Sequence, residues 1–525
     1  MRRRNFVALA GGALAAPAIG RAQGTRTLRL IPQADLTVLD PVWTTAYVTR
    51  NHGFLVFDTL FGIDDGFKIH PQMVAGSVTE NGGRVWRLGL RPGLRFHDGT
   101  PVLARDCVAS IKRWGQRDSF GQALMAATDD LSASDDETIV FRLKQPFPLL
   151  PDALGKAGAN MCPIMPERLA STSAFKQITE MVGSGPFRFK ADERLVGARV
   201  VYERFADYVP RPDGTAQCTA GPKIAHFDRV EWTVIPDAAT AAAAMQRGEA
   251  DWWERLDFDL IPLVAKDPAL TVKVIETTGN IYVLRFNALF PPFDNPAIRH
   301  ALLGAVNQTD FVTALAGDHP QSYRTDVGVF TPGTPMADQK ALPVLNAEPD
   351  FARVKRDLAA AGYHGEPVVF MIPADFAQLA AIGRVAADML RRAGMTVEEQ
   401  DTDWGTLVQR RASREPPAKG GWNAFCTSFT GMDMASPADN KLIRGNGADA
   451  WFGWPNLPQL ETLRDAWFAA PDLAGQQKVA AEIQAVTLQQ APFLPLGMVY
   501  LPSLLSRSLT GVLTGLPLFW NVRRT

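Results

Sequence analysis

Hydrolytic chemistry needs a nucleophile with its base, or a metal with its ligands, and neither pattern stands in this chain. G-x-S-x-G, H-E-x-x-H and H-x-x-E-H are all missing, and none of the seven histidines pairs with another at ligand spacing. His97 is followed by Asp98, a pairing that would suit a general base, but its place in an Asp-Gly turn points to a structural role. The carboxylate pairs Asp129-Asp130 and Asp135-Asp136 lie in polar, loop-like surroundings and read as solvated surface. The run Val182-Gly-Ser-Gly-Pro-Phe187 is no phosphate loop, because no Lys-Ser/Thr follows and Pro186 would interrupt the helix such a loop opens. Cys107, Cys162, Cys218 and Cys426 stand far apart without a C-x-x-C, which removes zinc-ribbon and thioredoxin chemistry. No catalytic residue, metal or cofactor is expected.

Binding sets a different requirement: a few buried polar groups that orient a ligand between apolar walls. The stretch Thr427-Ser-Phe-Thr-Gly-Met-Asp433-Met-Ala-Ser-Pro437 suits it. It follows an apolar, strand-like run and predicts a loop at a strand end that carries one acid, Asp433. The alternative is an aspartate that caps a local turn. A ligand carboxylate has three candidate partners in Arg410, Arg411 and Arg414. Residues 410–421 nevertheless read as a polar surface loop around Pro416-Pro417, where all three arginines would be solvated.

These side chains need a scaffold, and length sets its scale. The 525 residues exceed the ~250–300 at which a single core stops growing, so at least two lobes are expected. Arg2-Arg3-Arg4, an apolar run over 6–18 and Gly20-Arg21-Ala22 form an export segment, cleaved near Ala22. Its apolar run is far short of the ~20 residues that span a bilayer. Arg3-Arg4-Asn5-Phe6-Val7 resembles a twin-arginine signal without the usual Ser/Thr before the pair or Lys behind it, and general export is the alternative. No cysteine follows the cleavage site, so no lipid anchor is expected. Without the four arginines of the first 22 residues, 50 basic residues face 55 acidic ones, a net charge of −5. That gives no electrostatic case for nucleic acid or for membrane binding. In an oxidising compartment the four cysteines could hold a disulfide or remain buried thiols, and both readings stay open.

The pattern of elements is α/β. A strand near 28–30 and an apolar helix-like run over 51–61 come first. Strands over 86–90 and 139–143 enclose a helix over 104–114. Asp237 caps an alanine-rich helix that stops at Gly248, and the adjacent Trp252-Trp253 read as core. Asn295 and Pro296 are start signals for a helix over 297–306. A strand over 368–372, a helix over 375–393 and a strand from 395 form a βαβ unit, hence a parallel pair. The closing segment from Ala491 reads as a proline-interrupted strand returning to the first lobe.

One stretch is more specific than all of these. Arg91-Pro-Gly-Leu-Arg-Phe-His-Asp-Gly-Thr-Pro-Val102, continued through Ala104, Asp106, Ser110 and Lys112-Arg113-Trp114, resembles a run of the periplasmic dipeptide/oligopeptide-binding proteins that serve ABC importers. Leu39-Asp40-Pro41, the Val182–Phe187 run, Met245-Gln-Arg-Gly-Glu-Ala-Asp251, Pro291-Pro-Phe-Asp-Asn-Pro296 and Ala361-Gly362-Tyr363 resemble further segments of the same family, in the same order. The resemblance implies a periplasmic binding protein type II-like (Venus flytrap) fold of class α/β. Its first lobe would comprise 23–65, 184–275 and 489–525, with an inserted α+β subdomain over 66–183. A second lobe over 276–488 would be joined by two crossings near 275 and 488. The implied function is capture of a peptide or related small solute by lobe closure, and delivery to an inner-membrane ABC permease. The protein would act as a monomer in the periplasm, without cofactor. A secreted hydrolase and a periplasmic chaperone-like module are the alternatives.

For the site, the resemblance implies four residues. Asp433 stands four before Pro437, the spacing at which peptide-binding relatives pair an acid with the ligand's α-ammonium, although Met434, Ala435 and Ser436 replace their acidic D-x-G-D-P. Trp404 and Trp451 lie where relatives place pocket-lining aromatics, with Trp454 and Trp422 as weaker candidates. Asp35 stands four before Leu39, where oligopeptide-binding relatives offer an acidic residue. The stretch 91–114 is expected to build the subdomain away from the cleft, so that His97 serves folding rather than affinity.

Overall fold

The computed structural model describes residues 26–340 and 342–525; the export segment expected over 1–22 lies outside them. Two sheets carry the chain. The first has seven strands built around Thr27–Ile31, which buries Leu28, Leu30 and Ile31 and runs parallel to both Arg229–Thr233 and Trp252–Trp253. Both tryptophans of that short strand are core. The second sheet has six strands, in the order Tyr323–Arg324, Phe493–Val499, Asn280–Phe286, Ala424–Thr430, Pro367–Pro373 and Thr396–Thr402. Its last two strands are parallel and are joined by the helix Ala377–Arg392, which buries Leu379, Ile382, Ala386 and Leu390 along one stripe.

The chain changes sheet twice. It leaves the first after Leu270–Val274 and enters the second at Asn280. The return differs from the sequence reading, which placed 489–525 in the first lobe. Phe493–Val499 still pairs along Asn280–Phe286, and the crossing falls between Val499 and Pro502, where the first sheet resumes. All seven residues of that strand are buried, and a run apolar on both faces needs the covered interior of a sheet. Its Pro495 is tolerated because the pairing shifts register between Ile281 and Val283.

The inserted subdomain is a four-stranded antiparallel sheet, in the order Val74–Glu80, Val85–Leu90, Thr138–Leu143 and Thr128–Ala133, covered by the helix Ala104–Trp114. The stretch 91–114 holds it to the first lobe at two points. Arg113 pairs with Asp40 at 2.6 and 3.2 Å, both side chains being essentially buried, and Ile178 N donates to the same carboxylate at 3.0 Å. The Leu-Asp-Pro turn and the arginine of the helix are thus two ends of one ion pair. His97 supplies the second point. Its Nδ1 accepts from Gly183 N at 3.3 Å and its Nε2 donates to Gly185 O at 2.9 Å. Glycine is required on that side, since a Cβ at Gly183 would lie 2.0 Å from Val56 O.

Burial pushes the His97 imidazole down to about 4, so the ring is neutral and this hydrogen-bond pattern intact at neutral pH. Because the folded-state value is depressed, its contribution to stability is complete above about pH 6.5 and is lost as pH falls towards 4. The loss is at most about 3 kcal/mol, reduced by screening at a ring that is partly exposed. We therefore expect His97→Ala to lower the melting temperature and to flatten the acid side of the stability profile without changing ligand affinity. A variant that melts normally but has lost binding would contradict this role.

All four cysteines are free and buried, which selects the thiol alternative. Among the described residues no helix is long and apolar enough to cross a membrane.

Candidate functional site

The two lobes close on each other at the helix Trp404–Arg410. Asp403 caps this helix by accepting from Thr406 N at 2.8 Å. Trp404, Leu407 and Arg411 follow at spacings of three and four and so share the face turned into the protein. Arg411 is only 1 % exposed, which overturns its reading as a solvated loop arginine. The missed signal was this helical spacing beneath an aspartate cap.

The Arg411 guanidinium reaches across the lobe boundary. Its Nη2 donates to Thr44 Oγ1 at 3.1 Å and to Thr45 Oγ1 at 3.3 Å. Its Cζ lies 4.9 Å from the ring centre of Phe452, 5.6 Å from Trp451 and 5.7 Å from Trp404. Nε has no hydrogen-bond partner, and no described carboxylate stands within ion-pair distance. Burial pushes the group down to about 9, still charged at neutral pH. A buried cation with no counter-charge is costly, and such sites are where ligands bind.

The other two arginines separate from it. Arg410 donates to the carbonyls of Gly420 and Gly421 at 2.8 and 2.7 Å, and exposed Arg414 lies over Trp454 at 5.0 Å. Trp404 and Trp451, expected as pocket walls, are both brought against Arg411. Trp422 is fully buried against Phe425 and Trp454.

A cavity of about 290 Å³ opens between the lobes. Trp43 and Thr45 of the first lobe line it, with Arg117 and Asn160 of the subdomain and Lys441 and Trp451 of the second lobe. Arg411 does not itself line this cavity: Trp451 and Phe452 stand between them, and the void that Arg411 meets, beside Tyr47 and Trp404, is about 20 Å³, room for about one water. Two larger hollows, of about 870 and 640 Å³, are each lined by one lobe alone. Only a site between lobes couples occupancy to closure.

Asp433 stands in a short turn directly after the strand Ala424–Thr430, as expected, and is 1 % exposed. Its Oδ2 accepts from Tyr47 Oη at 2.6 Å and Thr430 Oγ1 at 3.0 Å, and its Oδ1 from Ala159 N at 2.8 Å. Gly158 packs so closely that a Cβ there would lie 2.2 Å from Oδ1. Burial and the adjacent carboxylate raise the Tyr47 hydroxyl well above its usual range, so it remains a donor. In the closed form, then, chain donors from both lobes and the subdomain occupy the carboxylate that was expected to meet a ligand ammonium. Asp35 lies elsewhere: it accepts from Gly197 N at 3.0 Å and lines a separate void of about 50 Å³. Lys156 and Lys441 share Asp118 at 2.7 and 3.7 Å, and Lys441 also donates to Asn160 Oδ1 at 3.0 Å. These contacts bind the subdomain to the second lobe.

Comparison with known proteins agrees with this architecture. The profile of the bacterial extracellular solute-binding proteins, family 5 (middle), matches residues 68–446. A probable peptide ABC transporter periplasmic-binding protein of Sinorhizobium fredii is 37% identical over 525 residues, covering 98% of this chain and 97% of that protein. A glutathione-binding protein of Salmonella typhimurium is 22% identical over 500 residues, covering 91% and 90%. Among solved structures, the binding protein AgaA of A. tumefaciens in complex with agropinic acid superposes with a TM-score of 0.77 at 20% identity, over 95% of this chain and 99% of that one. The periplasmic binding protein DppA of Helicobacter pylori, in complex with the peptide STSA, gives 0.77 at 20% identity, over 95% and 98%.

Proposed function

The chain belongs to family 5 of the bacterial extracellular solute-binding proteins, the receptors of ABC importers, and from that membership we propose that it captures a short peptide or related small solute at Arg411. One observation carries the assignment: a buried, unpaired guanidinium set between the lobes and walled by Trp404, Trp451 and Phe452. A ligand carboxylate supplies the missing charge through two parallel N–H···O bonds, a geometry that the planar fork favours. The aromatic walls exclude water and so strengthen that pair. The adjoining cavity of about 290 Å³, separated from Arg411 by Trp451 and Phe452, is at the small end of the range for small-molecule sites, which favours a short solute whose acidic end passes that wall. The liganded, closed receptor then docks on its inner-membrane permease. The export segment expected over 1–22 and the periplasmic relatives favour the periplasm for this work, with the protein acting as a monomer.

Asp433 takes the role of latch in this scheme. Its contacts with Tyr47 and Ala159 exist only when the lobes are shut, so it biases the open–closed equilibrium that the ligand completes. Asp433→Ala should therefore open the unliganded protein, seen as a larger radius of gyration in small-angle scattering, and weaken ligand binding by the fraction no longer closed. An unchanged radius of gyration would contradict the latch.

The receptor is distinguished from a hydrolase by what happens to its ligand. Incubated with a mixture of di- and tripeptides, the protein should bind one-to-one and leave every peptide intact by mass spectrometry. Cleavage products in proportion to time would favour the hydrolase.

A further inference from the structure

Charge around the interlobe cavity is one-sided. Arg117, Arg414, Lys441 and Arg444 line it against a single acid, the exposed Asp449, and Arg411 stands behind its Trp451 and Phe452 wall. Part of this charge is already matched: Arg444 pairs with Glu461 at 3.1 Å, and Lys441 shares Asp118 with Lys156. Arg117 and Arg414 are not matched. Arg117 donates to Trp43 O at 2.8 Å and lies over the Phe175 ring at 5.1 Å, while Arg414 donates to Ala448 O and lies over Trp454. Neither has a carboxylate at ion-pair distance among the described residues, and Arg411 makes a third such arginine around one cleft. The bias is local, since the chain beyond residue 22 carries a net −5.

We infer that the solute is an anion with at least two acidic groups, one held by Arg411 and the other at the Arg117–Arg414 rim of the cavity. This rests on the receptor reading and narrows its ligand to a class: acidic dipeptides, or small conjugates bearing two carboxylates. A monocarboxylate zwitterion would satisfy Arg411 and leave the rim cations unmatched, whereas a second carboxylate bridges subdomain and second lobe. That bridge makes the second charge a closure contact, because Arg117 and Arg414 come from the two sides of the cleft.

Titration calorimetry with matched probes tests this. Glutamyl-glutamate, glutaminyl-glutamine and lysyl-lysine share backbone and length and differ in side-chain charge. The acidic dipeptide should bind about 10- to 100-fold more tightly than its neutral isostere, and the basic one should not bind. Arg117→Gln and Arg414→Gln should each erase most of that preference, lowering the acidic probe's affinity far more than the neutral probe's. Equal or tighter binding of the neutral probe, a preference that survives both substitutions together, or no binding of the acidic probe would overturn the inference. Equal affinity for the acidic and neutral probes, both still dependent on Arg411, would do so while leaving the receptor reading intact.

Discussion

Arg411→Leu should yield a protein that is more stable than the parent without ligand and unable to hold its solute. The parent keeps a guanidinium 1 % exposed, with two threonine hydroxyls and three aromatic faces for company and no carboxylate. Replacing buried charge by a well-packed apolar side chain is neutral to stabilising by about 1–4 kcal/mol. Binding moves the other way. Losing the charged partner of a desolvated carboxylate costs about 2–5 kcal/mol, or roughly 30- to several-thousand-fold in Kd. Opposite signs in one variant mark a residue kept for function at the expense of stability. Urea denaturation and titration calorimetry on the same preparation check it. A destabilised variant with undiminished affinity would show that Arg411 is structural.

Asp40→Ala should be the most destabilising single change in the part of the molecule that holds the subdomain. Its carboxylate is the only acidic partner of Arg113 among the described ion pairs, and it also accepts from Ile178 N. Removing it leaves a guanidinium buried without counter-charge, for which about 3–5 kcal/mol is the usual loss. Arg113 keeps its bonds to the carbonyls of Thr172 and Lys176, so the damage should centre there, with faster amide exchange over 172–178. The double variant Asp40→Leu with Arg113→Met should recover much of the loss, because the pair goes as a unit. A loss below about 1 kcal/mol for the single change would remove the ion pair from the account.

The fold was legible where local chemistry is strong. The helix Ala104–Trp114, its two glycine turns and the βαβ unit ending in Thr396–Thr402 follow from turn residues, capping and periodicity within a few residues of chain. The return of the chain was not, because Phe493–Val499 is apolar on both faces and nothing local says which of two sheets will cover it. The site divides in the same way. Trp404 and Trp451, expected from resemblance, stand against Arg411, while Arg411 itself was lost among arginines in a polar segment, since it is buried against Thr44 and Thr45, 367 and 366 residues away in sequence. Asp433, expected in a loop at the end of a strand, stands there and is buried. Its partners Tyr47 and Ala159 lie 386 and 274 residues away, and their bonds fill the carboxylate that was expected to meet a ligand ammonium.

If Arg411 holds a small solute between the closed lobes, that solute should travel with the protein through purification. Native mass spectrometry of the protein purified without refolding tests it most directly, with Arg411→Leu prepared in parallel. One small-molecule adduct is expected on the wild type, released on denaturation, and none on the variant. Wild-type protein with no adduct, or the same adduct on both, would contradict it.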